Sequence, residues 1–356
     1  MKLDLRIGTL FTLALLFVAT LAGPAFGAEA PEPLPDPDGE PADMTQPVQV
    51  YILLGQSNMV GAGHVGGADR EGSLEHATGT LGLYPYLVDD DGGWTTRMDV
   101  RYVRSMGSGG GIGRIHNNDW MTIPGGRIGP ELGIGHQLGN AIDAPVMVLK
   151  SCIGNRSLGW DLLPPGSEQY AFEGHTYAGY GDSPDRWETG TEPQPINWTA
   201  GCQYDGDVAS AQAILAEIQT YYPEATEFEV VGFFFWQGDK DRYNAGHATR
   251  YEQNLVRLIE ALREDFDAPD AKFVCATLGQ TQRGAEGNEG LILDAQLAVS
   301  DPERYPAFAG NVATVYTHPI SQGGASNGHY GGNARTYMDV GEAMGAAMVE
   351  LMEAKE

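Results

Sequence analysis

The segment Val48-Gln-Val-Tyr-Ile-Leu-Leu54 is apolar with one polar interruption, and Gly55 follows at once. A run this short and this apolar reads as a strand covered on both faces, because successive side chains point to opposite sides of a sheet. Comparable runs recur at 145–151, 229–236, 272–277 and 312–317. Helical periodicities lie between and after them. Val208, Ala211, Ile214, Leu215, Ile218 and Tyr222 make one such stripe, and Tyr251, Leu255, Leu258, Ile259, Leu262 and Phe266 make another. Tyr337, Val340, Met344, Met348 and Leu351 make the last. Buried strands alternating with helices predict an α/β domain with a mainly parallel sheet and helices on both faces. Ligands of such sheets sit beyond the carboxyl ends of the strands, so the segments that follow each run are where chemistry is expected.

The chain has 356 residues, which suits one α/β domain with long loops. Lys2 and Arg6 precede an apolar run from Ile7 to Leu21, and Ala25-Phe26-Gly27 offers small residues at a cleavage point. Residues 1–27 therefore read as a signal peptide of a secreted or periplasmic protein. The alternative is an uncleaved anchor, for which the run is short. Residues 28–46 are rich in Pro and acidic residues and read as a linker. The domain is expected over 47–356, with insertions at about 90–128 and 157–203 where the alternation breaks. A net charge of −27 argues against nucleic acid or an anionic membrane surface as partner. Cys152, Cys202 and Cys275 leave two readings open, a Cys152–Cys202 disulfide or three free thiols. The histidines show no paired metal spacing, so no metal is expected. The Gly-rich stretch at 107–113 is not followed by Lys-Ser/Thr and reads as a flexible rim loop, not a phosphate loop.

Five segments carry candidate chemistry. The first strand runs into Gly55-Gln56-Ser57-Asn58-Met59, which sets a hydroxyl at a strand-to-helix turn beside free backbone amides. Such a hydroxyl needs a base from elsewhere in the chain; without one it reads as a plain helix cap. Ile128-Gly129-Pro130-Glu131 opens a helix, and Gly154-Asn155 follows the strand at 145–151. Alone, each of those two reads as a turn. Gln237-Gly238-Asp239-Lys240-Asp241 follows the apolar Phe233–Trp236, as a polar lining at a strand end would. Ser326-Asn327-Gly328-His329 stands just ahead of the last helix, where an imidazole has reach to Ser57.

Taken together these segments resemble the SGNH hydrolase superfamily, in its sialate O-acetylesterase-like, carbohydrate acetylesterase branch. Gly-Gln-Ser-Asn-Met at 55–59 is similar to that branch's nucleophile block, and Trp-Gln-Gly-Asp at 236–239 to its Gln-Gly-Glu block, with Asp replacing Glu. Gly129 and Gly154-Asn155 approximate the middle blocks, and the order holds from about 48 to 351. The resemblance implies a flavodoxin-like three-layer αβα sandwich and hydrolysis of O-acyl sugar esters without metal or cofactor. It casts Ser57 as nucleophile and His329 as base. Oxyanion donors would come from the Ser57 amide, with Gly129 and Asn155 as candidates, while Gln56 and Gln237 shape the pocket. The substrate implied is an acylated carbohydrate.

One position departs from the family. Its members often carry Asp three residues before the base, and here that residue is Ser326. Three readings follow: a Ser-His dyad oriented by a carbonyl or the Ser326 hydroxyl, a carboxylate from elsewhere with Asp239 and Asp241 first, or a domain that only binds glycan. The aromatics Trp160, Trp187, Trp198, Tyr170, Tyr177 and Tyr180 could serve that last reading, or could pack a small core of their own. An esterase of the same fold acting on non-sugar esters is a further alternative.

Overall fold

The computed structural model describes residues 41–123 and 125–354, so the expected signal segment and most of the linker lie outside the described residues. Residues 41–46 are not free chain: the Asp43 amide donates to the Asp143 carbonyl at 2.9 Å. Among the described residues the main sheet has seven strands. They are β1 (Val48–Gly55), β2 (Arg97–Met106), β3 (Arg114–Met121), β4 (Val146–Ser151), β5 (Phe228–Trp236), β6 (Lys272–Ala276) and β7 (Val312–Val315). Their spatial order is β7-β6-β5-β1-β4-β2-β3, parallel throughout except for β3, which runs antiparallel to β2.

The main helices are α1 (Ser57–Val60), α2 (Glu131–Ala141), α3 (Cys202–Ala216), α4 (Ala245–Asp265), α5 (Gly287–Ala298) and α6 (Ala334–Glu353). Side-chain alternation divides the sheet into two cores. Val48, Val50, Ile52 and Leu54 of β1 pack with Phe233 and Phe235 against α3, α4 and α5. Tyr51 and Leu53 pack with Phe234 and Trp236 against α2 and α6. A covered sheet of this kind requires apolar residues at consecutive positions, which is why β1 and β5 lack a polar face. The result is the three-layer αβα sandwich with a mainly parallel sheet.

The stretch at 90–128, read from the sequence as an insertion, is part of the main sheet. It supplies β2 and β3, and β2 joins the sheet edge in parallel register with β4. The 157–203 stretch is an excursion, carrying a small antiparallel sheet of Tyr170–Phe172, His175–Tyr177 and Arg186–Glu188. Beneath the nucleophile segment lies a buried ion pair, Lys150 of β4 with Glu131 of α2. Lys150 Nζ also donates to the Val60 carbonyl at 3.1 Å and lies over the Tyr102 ring. One ammonium thus joins β4, α2 and the end of α1. No helix among the described residues is long and apolar enough to cross a membrane.

Candidate active site

The parallel strands all end on one edge, and Ser57 begins the single-turn helix immediately after β1. Gly55 makes this turn possible: its φ is 144°, and a side chain there would meet the Trp236 carbonyl oxygen at 2.4 Å. Gln56, Asn58 and Met59 are buried while Ser57 is only half-buried, so this turn presents one hydroxyl to solvent. The loop after β4 closes on it from the side. A Cβ placed on Gly154 would lie 3.3 Å from Ser57 Cβ, tighter than ordinary contact, so glycine eases the backbone's close passage here.

Beneath Ser57 lies a buried polar network. Gln237 Nε2 donates to Gln56 Oε1 at 3.2 Å, to the Arg156 carbonyl at 2.9 Å and to Asp241 Oδ2 at 2.5 Å. The Tyr251 hydroxyl donates to Gln237 Oε1 at 2.8 Å. Gln56 and Gln237 therefore hold neighbouring loops together, and Gln237 has no amide hydrogen left idle for substrate. Asp241 is fully buried and accepts the Leu158 and Gly159 amides at 2.9 and 2.8 Å. Burial pushes its carboxyl above the ordinary range, against these hydrogen bonds and the nearby His247. Asp241 anchors the start of the 157–203 excursion and is not placed toward His329.

Asp239 is placed otherwise. Its Oδ1 accepts the Ser326 hydroxyl at 2.5 Å in a buried contact, and Arg242 Nε donates to the same oxygen at 2.9 Å. Arg242 is itself held by Glu289 at 2.5 Å. The residue three before His329 thus carries a carboxylate by proxy, delivered from the end of β5. Arg242 and Glu289, which fix that carboxylate, carried no motif signal. His329 lies in the Ser326–Gly332 turn, which adjoins α1. Its ring is partly exposed, and neither ring nitrogen has a hydrogen-bond partner among the described residues. The Ser57 hydroxyl and the imidazole thus stand on adjoining segments without a hydrogen bond between them. Such bonds commonly tighten only with substrate in place.

The candidate oxyanion donors separate. The Ser57, Gly154 and Asn155 amides have no partner among the described residues. Asn155 is exposed in a left-handed conformation at φ 60°, at the loop crest beside Ser57. Gly129 has another task, because its amide donates to Glu131 Oε1 at 3.1 Å, which removes it as an oxyanion donor. The 107–113 stretch is also not a flexible rim. Gly109 donates to Gln203 Oε1 at 3.0 Å, Gly110 to Cys202 Sγ at 3.1 Å and Gly113 to Ser210 Oγ at 2.8 Å, which bind it to α3. All three cysteines are free thiols. Trp160, Trp187 and Trp198 pack with Leu163, Ala178 and Ala200 in a small separate core, and Tyr170 stacks on Tyr177. The described residues hold no cluster of three His, Cys, Asp or Glu side chains fit for a metal ion.

Residues 181–350 match the model of a family described as carbohydrate esterase, sialic acid-specific acetylesterase. The match includes Gln237, Asp239, Ser326 and His329; Ser57 precedes it. No curated protein matches. Among solved structures, the chain is similar to a carbohydrate acetylesterase from Xanthomonas citri, at 14% identity and a TM-score of 0.51, over 84% of this chain and 55% of that one. It is also similar to a protein from Arabidopsis thaliana, at 16% identity and a TM-score of 0.47, over 85% and 98% of the two chains. NanS aligns at 18% identity and a TM-score of 0.40, over 78% of each chain. The Xanthomonas likeness supports the fold alone. Over residues 181–350, a little under half of its length, the chain is thus similar to the carbohydrate esterase, sialic acid-specific acetylesterase family.

Proposed function

We propose that the chain hydrolyses O-acetyl esters on carbohydrate through an acyl-enzyme formed on Ser57. Ser57 Oγ attacks the ester carbonyl as the His329 imidazole takes its proton. The oxyanion that forms is held by the Ser57, Gly154 and Asn155 amides. Collapse expels the sugar oxygen, which takes the proton back from His329, and water repeats the cycle on the acyl group. The observation that carries this reading is the Ser57 turn, where one hydroxyl stands free above a buried polar network with unpaired amides around it.

For the acid, the reading takes Ser326 and Asp239 together. The Ser326 hydroxyl spends its proton on Asp239, so its lone pairs remain open to accept Nδ1–H from His329. A hydroxyl polarised by a carboxylate is a stronger acceptor than an isolated one. The experiment is hydrolysis of p-nitrophenyl acetate by wild type and Ser57→Ala. Loss of turnover in the variant is expected, and equal turnover would sink the assignment. On natural substrates, acetylated sialic acid or acetylated xylan should outrun esters of long acyl chains; the reverse order would remove the carbohydrate. Export is inferred from residues 1–27. Secreted protein beginning at Ala28 would bear that out, and material retaining Met1 would not.

A further inference from the structure

His329 sits in an uncommon backbone. It and Tyr330 are non-glycine residues at φ 50° and 52°, and Gly331 and Gly332 follow at 62° and 73°. Two consecutive side-chain-bearing residues keep left-handed conformations only where their surroundings hold them there. Three buried aromatic rings surround this turn. Tyr330 stacks on Trp236 at 5.8 Å between centroids and 19° between planes, and its hydroxyl accepts the Gly279 amide at 3.0 Å. Tyr337, from the first turns of α6, meets Trp236 at 5.8 Å and Tyr330 at 6.2 Å, both edge-on. All three rings are fully buried.

The Tyr337 hydroxyl is the point where the two halves of the reacting pair meet. It lies 3.4 Å from the His329 carbonyl oxygen and 3.5 Å from Asn58 Oδ1, the side chain next to Ser57. Asn58 is buried, and its Nδ2 has no partner among the described residues, so nothing else on that side chain ties it down. One hydroxyl thus lies at the outer limit of hydrogen-bonding distance from an acceptor on the nucleophile segment and from one on the base segment, and its single proton is shared between them.

We propose that Tyr337 is a positioning residue, whose hydroxyl sets the His329 turn against the Ser57 turn while its ring wedges the left-handed backbone in place. The proposal rests on the reading that Ser57 and His329 react together. It does not assign Tyr337 a contact with substrate.

Tyr337→Phe removes the hydroxyl and leaves the ring, and is compared with His329→Ala and with the double variant. The readouts are kcat, KM, the p-nitrophenol burst that counts working sites, and Tm. Tyr337→Phe is expected to lower kcat about three- to tenfold, the scale of one hydrogen bond, with KM, burst amplitude and Tm near wild type. Adding it to His329→Ala should cost nothing more, because the residue acts through the base. If His329→Ala is inactive but Tyr337→Phe keeps wild-type kcat, the proposal is overturned and the Ser57–His329 reading stands. A fall in burst amplitude and Tm with unchanged kcat per working site overturns it also, by showing a purely structural role. Full activity in His329→Ala removes the reading and the proposal together.

Discussion

Asp239 and Ser326 stand 87 residues apart and meet at 2.5 Å, and in the proposed mechanism that contact is what orients the imidazole. Asp239→Asn keeps the shape and removes the charge. Turnover should then fall by about 10², less than the order of 10⁴ that follows direct loss of an orienting carboxylate, because the hydroxyl stays. Adding Ser326→Asp to Asp239→Asn places a carboxylate at the position usual for the family, and should restore most of the loss. An unaffected kcat in Asp239→Asn would instead show a dyad working without it. At this scale the sequence singled out Ser57, in a compact block at a strand end, and His329, in a turn just ahead of the last helix, as candidates. It could not choose between Asp239 and Asp241. Both follow the same strand, and only the fold shows one facing Ser326 and the other facing the Leu158 and Gly159 amides. Gly129 was a candidate donor through the resemblance of its segment to a middle block of the family. Here the carboxylate two residues on takes its amide.

Among the elements, α6 bears the most varied load: it leads out of the His329 turn, covers one sheet face and buries acidic residues against the 84–87 turn. The Tyr86 hydroxyl donates to Glu342, and Tyr84 to Asp339. Burial pushes the Glu342 carboxyl from 4.5 up to about 7, despite the Tyr86 hydrogen bond that favours the charged form. The folded value lies above the unfolded one, so the neutral carboxyl is what the fold favours. That contribution is whole below about pH 4.5 and is lost as pH rises through about 7. Denaturant melts from pH 5 to 8 should show wild type losing stability relative to Glu342→Gln, by roughly 1–3 kcal/mol at the upper end. Parallel curves would refute the assignment. The Lys150–Glu131 pair gives a second test, since Lys150→Met strands a buried carboxylate and should cost about 3–5 kcal/mol. Lys150→Met with Glu131→Gln should cost less. The five covered parallel strands were legible as apolar runs. Strands β2 and β3 were not, because Arg, Asp and Asn dominate a sheet edge that faces water, and only the alternation of Val100, Tyr102 and their polar neighbours marks β2.

For the whole molecule, one sheet with two cores explains why so acidic a chain holds together and where its chemistry sits. Leu255 of α4 is fully buried in the larger core, and Leu255→Ala should cost about 2–5 kcal/mol without touching the site. A urea melt reads this as a lower midpoint at unchanged kcat per folded molecule. The two long stretches outside the strand–helix alternation proved different in kind: one extends the sheet, and the other folds on its own small aromatic core. Both border the loop that carries Gly154, Asn155 and Arg156 past Ser57, and Arg156 links them by donating to Ser108 Oγ and lying over the Trp198 ring. The central claim is that Ser57 is a nucleophile made reactive by His329. Labelling with a fluorophosphonate, followed by peptide mass mapping, tests it most directly. The account predicts one adduct per chain on the peptide holding Ser57, formed at least about 10³ times more slowly in His329→Ala. An adduct on another residue, or a labelling rate indifferent to His329, would contradict it.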